Sequence, residues 1–248
     1  MLSPKQTNLN PHKSSATHRI ILLLSALLLS ACASKPPPPD WQANAFSALK
    51  GFSAAYLSGN SRLADFEFAR AKSEIASTGR ADFLARAELT RCAVRVASLE
   101  FDDCAAYQTL ARDAQPAEQA YATYLSGRWT GLDPALLPAP HRALVLKAAA
   151  SEAKKGPANA APTPAMLDTF EDPLARLVAA GVLLQNSRLS PADMATATET
   201  ASAQGWRRPL LAWLGVQLKR ATDGGDLDAA ARLQRRIDVV LQLPAKTQ

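Results

Sequence analysis

Strand-forming material is scarce in this 248-residue chain, where aromatic residues make up 6% and β-branched residues form almost no runs. A pleated, half-buried surface has little to be built from, which argues against a β fold. Histidine is nearly absent as well: there are three in the chain, and His141 alone lies beyond residue 31. A zinc site needs several His or Cys ligands at short spacing, so no metal is expected, and no cofactor motif is present either. No Gly-x-Ser-x-Gly elbow supplies a triad nucleophile, and His141 beside Pro140 reads as a capping or surface histidine. The longest apolar block falls short of the about 20 residues a membrane-spanning helix needs.

Nor is there a strong charge of one sign. The formal +6 includes Lys5, Lys13 and Arg19 from the first 31 residues, which hold no acid; beyond them 25 basic face 22 acidic side chains. Arg86, Arg91, Arg95, Arg207, Arg208, Arg235 and Arg236 are interleaved with Glu88, Asp226, Asp228 and Asp238. A nucleic-acid partner would call for a basic stripe, so none is expected, and the default is a solvated, salt-bridged surface.

What is abundant is alanine, about a fifth of the chain, the residue with the best intrinsic helix propensity. An all-α fold follows. At the N-terminus, Ile20 to Ala31 forms a 12-residue apolar block behind Lys13 and Arg19, the length of a signal-peptide core. It ends in Leu29-Ser30-Ala31-Cys32, a tetrad that resembles the lipobox of bacterial lipoproteins. The resemblance implies cleavage before Cys32, a diacylglyceryl thioether on its sulfur, and an anchored rather than soluble mature chain. Two or more acyl chains hold a protein firmly, at about 0.8 kcal/mol per buried CH₂. Residue +2 is Ala33 rather than Asp, which by the enterobacterial sorting rule implies the outer membrane, with the body facing the periplasm. Residues 32–40 then form a tether, stiffened by Pro36 to Pro39 into a polyproline II rod.

Helix boundaries in the body are punctuated. Asp40, Asp133, Thr163, Asp172 and Ser190 each precede Trp or Pro at a first helical position, and Gly59, Gly79, Gly127, Gly205 and Gly224-Gly225 mark stops. Leu174, Leu177, Val178, Gly181 and Val182 make one helical stripe; Leu227, Ala230, Leu233, Ile237, Val240 and Leu241 make another. Segment 81–99 is apolar on more than one face, as a helix sandwiched between neighbours would be. Eight to ten helices with short connections are expected.

Tyr56-Leu57-Ser58-Gly59 recurs as Tyr124-Leu125-Ser126-Gly127, and Ala64, Phe68 and Ala71 follow with small–large–small spacing. Residues 41–78 therefore resemble a degenerate tetratricopeptide hairpin. Tyr56 lies one residue closer to its glycine than that pattern wants, and no 34-residue period runs through the chain, so a helical bundle stands as the other form. The Pro/Ala-rich stretch 155–164 divides an N-terminal helical half, 41–154, from a C-terminal half, 165–243, with a tail at 244–248.

Cys92 and Cys104 flank a turn near Leu99 to Asp103, and in the oxidising periplasm such a pair reads as a disulfide. The alternative is two buried thiols. Peptidoglycan-cleaving enzymes share this address and use a Glu in a Glu-Ser context, but Glu67, Glu74, Glu88, Glu100, Glu118, Glu152, Glu171 and Glu199 stand singly, none before Ser. A non-enzymatic scaffold for an envelope protein or peptide is the leading expectation. An envelope enzyme or small-ligand binder with a cleft between the halves is the alternative.

Overall fold

The computed structural model describes residues 38–154 and 165–242, with the side chains of 152–154 left out of account. The lipobox, most of the tether, Thr163 and the tail lie outside the described residues.

Among the described residues the chain is helical throughout, without strands. Ten helices follow in order: α1 (Asp40–Ser58), α2 (Ser61–Ala76), α3 (Ala81–Ala97), the single turn α4 (Ala105–Gln108), α5 (Pro116–Leu125), α6 (Ala139–Lys154), α7 (Pro173–Gln185), α8 (Pro191–Ala203), α9 (Arg207–Asp223) and α10 (Leu227–Gln242).

Local chemistry sets many of these boundaries. Asp172 accepts from the Ala175 N–H at 2.6 Å and Ser190 accepts from the Asp193 N–H at 3.0 Å, each ahead of a proline whose missing donor costs the first turn nothing. Asn60 caps α2 through the Leu63 N–H, a cap that no proline advertises. Asp133 also caps as expected, through the Ala135 N–H, yet what it opens is only the 3₁₀ turn Pro134–Leu136.

α3 is the wall the rest is built on. Its buried residues include Ala87 and Val94 on one face and Cys92, Ala93 and Val96 on another. The first face closes a small core with Phe52, Phe68 and Ile75 of the α1–α2 hairpin, where Ala64 and Ala71 let the backbones approach. The second belongs to a larger core with α5 to α8 and Trp213 of α9, whose indole N–H donates to the Ala97 carbonyl. The stretch 155–164 lies outside the described residues, and helices on its two sides share that core, α3 running along α7.

α7 exceeds its sequence stripe: every residue from Leu177 to Leu183 is buried. α10 falls short, since none of its residues is buried. Arg208 at the start of α9 reaches back to the first hairpin, donating to the Tyr56 carbonyl at 2.9 Å and to the Ser61 hydroxyl at 2.6 Å, with its guanidinium 4.2 Å from the Tyr56 ring centre. It also pairs with Glu100 in the turn after α3.

Candidate functional site

Cys92 and Cys104 form a disulfide, their Cα atoms 5.2 Å apart. Two packed helix axes sit 8–10 Å apart, too far for this bond without a special approach. The approach comes from a turn: α3 ends at Ala97, Leu99 and Asp103 take positive φ, and Cys104 itself does so as the residue before the single turn α4. Asp102 stabilises that path by accepting from the Cys104 N–H and pairing with Arg95 at 2.6 Å.

His141 overturns its expectation as a capping or surface residue. It is 4% exposed and packed among Tyr121, Tyr124 and Phe170. Its Nδ1 and the Tyr124 hydroxyl are 2.9 Å apart and share one hydrogen bond, which gives both buried polar atoms a partner. Burial disfavours the imidazolium and pushes the His141 pKa down to about 4, with Asp172 opposing weakly. The same desolvation drives the Tyr124 hydroxyl well above its ordinary value. A sealed neutral imidazole bonded to a buried phenol is a packing unit.

Beside this cluster a surface pocket of about 370 Å³ opens between α3, α5 and the 134–138 turn. Leu89, Leu136 and Leu137 supply apolar wall, and Tyr121, which stacks on Tyr124 with ring centres 6.0 Å apart, joins the pocket to the aromatic cluster. Arg142 fixes the turn by donating from Nη2 to the carbonyls of Ala135 and Leu137 at 3.0 and 3.2 Å. At the rim Arg86 donates from Nε and Nη2 to Glu118 Oε1, at 3.0 and 2.6 Å. Glu118 is 7% exposed and Glu118 Oε2 has no partner. Pockets of this size suit one or two apolar side chains or a small ligand.

A second buried glutamate, Glu88, sits between Lys72 of α2 and Arg91 of α3, each 3.0 Å away. Its signal in the sequence is its place in a helix that is apolar on several faces, where an acid must be buried and must then find cations. Glu118 has no such signal, because its partner Arg86 lies 32 residues away. Among the described residues no group of three or more His, Cys, Asp and Glu is arranged to hold a metal ion, and no helix is long and apolar enough to cross a membrane. No protein family, curated protein or solved structure matches the chain.

Proposed function

We propose that the chain is an exported lipoprotein, anchored to the outer membrane through Cys32, whose helical body is a non-enzymatic adaptor for an envelope protein or peptide. The observation that carries the address is the Cys92–Cys104 disulfide in a chain whose residues 20–32 hold an apolar block ending in a lipobox-like tetrad. Such bonds persist outside the reducing cytosol, and a small loop like this one is stable there without any catalytic role. The binding reading is supported by the pocket beside Leu136, which is 39% exposed at its mouth. The same volume supports a small-ligand binder as the second reading.

The burial of Ala64, Phe68 and Ala71 in the α1–α2 hairpin supports a likeness to a tetratricopeptide unit. In a solenoid each unit touches only its neighbours. Here α9 contacts α1 and α3 contacts α7, so the helical-bundle form is favoured over an open solenoid.

The anchor is tested by expressing the full chain in a bacterial host fed alkyne-palmitate. The wild type should carry the label and stay with membranes after a salt wash, and Cys32→Ser should lose both. A Cys32→Ser chain that is cleaved normally and remains membrane-bound sinks the address and the role drawn from it.

A further inference from the structure

The α9–α10 pair, Arg207 to Gln242, holds seven basic and four acidic side chains, so it carries the whole surplus of three that remains beyond residue 31. On α10, Arg232, Arg235 and Arg236 share one flank with Val239 and Val240, and this flank turns toward α8 and α9 across an open cavity of about 550 Å³. Leu210 and Leu214 of α9 form its floor, Leu214 being fully buried. Arg236 pairs with Glu199 of α8 at 3.0 Å, while Arg232 and Arg235 have no acidic partner among the described residues. α10 is amphipathic yet buries nothing; Val239 is 61% exposed and Leu241 55%. A helix whose apolar stripe is only half covered, beside a recessed apolar floor under unpaired guanidinium groups, has the composition of a docking groove.

The charge and the shape select its occupant. Two unpaired cations above an apolar floor favour a ligand that brings carboxylates and aliphatic groups together. A flat bilayer reaches the exposed arginines but not the partly buried Leu210 recessed beneath them, whereas a side chain projecting from a peptide does reach it. We infer that the groove between α8, α9 and α10 docks a peptide segment of a partner protein that presents aliphatic side chains flanked by Asp or Glu. This rests on the adaptor reading above and names the chemistry of its partner. The aliphatic side chain occupies the space over Leu210, and the flanking carboxylates pair with Arg232 and Arg235.

The test uses the full mature chain, immobilised, and a phage-displayed library of random 12-residue peptides. Enriched peptides should combine at least two acidic residues with Leu, Ile or Val, and their synthetic forms should bind at least tenfold more weakly to an Arg232→Glu/Arg235→Glu protein. Both arginines are exposed and make no ion pair there, so that variant should melt with the wild type, and Arg232→Lys/Arg235→Lys should keep most of the binding. Enrichment of nothing, of peptides without acids, or of peptides that bind the charge-reversed protein equally well overturns the inference. So does co-sedimentation of the wild type with phosphatidylglycerol vesicles that is lost in the charge-reversed variant. Peptides whose binding is abolished by Leu136→Asp and untouched by the arginine changes would leave the adaptor reading standing and remove this groove from it. A wild type that carries no palmitate label in the cell experiment would do the reverse.

Discussion

Gly181 of α7 faces the main chain of α3 so closely that a Cβ built on it would lie 2.4 Å from the Val96 carbonyl oxygen. Backbone cannot give way there as a flexible side chain could. Gly181→Ala should therefore destabilise the fold by about 2 kcal/mol or more, because overpacking a well-packed seam outweighs the modest helix-propensity gain. Gly215, in α9, has nothing within 4 Å of its own Cβ position, and Gly215→Ala should stabilise by about 0.5 to 1 kcal/mol. Urea unfolding of the two variants beside the wild type reads both signs at once. Equal stability for Gly181→Ala would mean that α3 and α7 do not meet as described.

A second prediction concerns Asp193, which is fully buried without a cation beside it. Its Oδ1 accepts from the backbone N–H groups of Met166 and Leu167 at 2.8 and 3.0 Å, and its Oδ2 accepts from the Ser190 hydroxyl at 2.7 Å. One carboxylate thus holds the Ser190 hydroxyl that caps α8 and also ties down the chain where it re-enters the core. Asp193→Ala strands three buried donors and should cost about 3 to 5 kcal/mol, whereas Asp193→Asn keeps one acceptor and should cost less. The midpoint of denaturant unfolding orders the three proteins. Near-identical midpoints would contradict the hydrogen-bond assignment.

How far the sequence reveals these features depends on how local their causes are. The caps at Asp172 and Ser190 are legible because side chain, proline and bonded N–H lie within four residues. Asp133 carries the same signature, but Pro138 comes four residues after Pro134 and blocks propagation, so only a 3₁₀ turn results. Periodicity marks α10 as amphipathic without saying whether a partner covers the stripe. The half-coverage of Leu233 and Ile237 is a fact about packing, not pattern. The burial of His141 depends on Tyr124, 17 residues earlier on another helix, and the pocket rim depends on Arg86 meeting Glu118 across a still longer span. No local spacing encodes such pairs.

The disulfide closes a short loop, its cysteines 12 residues apart in sequence. Cross-linking removes freedom chiefly from the unfolded chain, and for a loop of this length the entropic contribution is about 3 kcal/mol. Reduction, or the double change Cys92→Ser/Cys104→Ser, should lower the unfolding free energy by roughly that amount. Thermal melts with and without a phosphine reductant report it, and the double variant should show no response to reductant. Both thiols alkylating fully in the native protein before any reductant is added would remove the bond itself.

His141 makes stability depend on pH in a direction fixed by its burial. The ordinary imidazole binds a proton near 6.5, while His141 in the fold does so only at about 4. Between those values the unfolded chain holds more protons than the native one, so stability is complete above about pH 6.5 and falls as the pH drops toward 4. The displacement corresponds to a loss of the order of 3 kcal/mol across that window, after which this residue contributes no further slope. Unfolding free energies should therefore decline on acidification from pH 7 to pH 4. In His141→Gln, whose amide can still bond the Tyr124 hydroxyl, the decline should be visibly shallower, although the variant starts lower because the ring packing is lost. Parallel curves for the two proteins would show that the imidazole is solvated and that the aromatic cluster around Tyr124 does not exclude water.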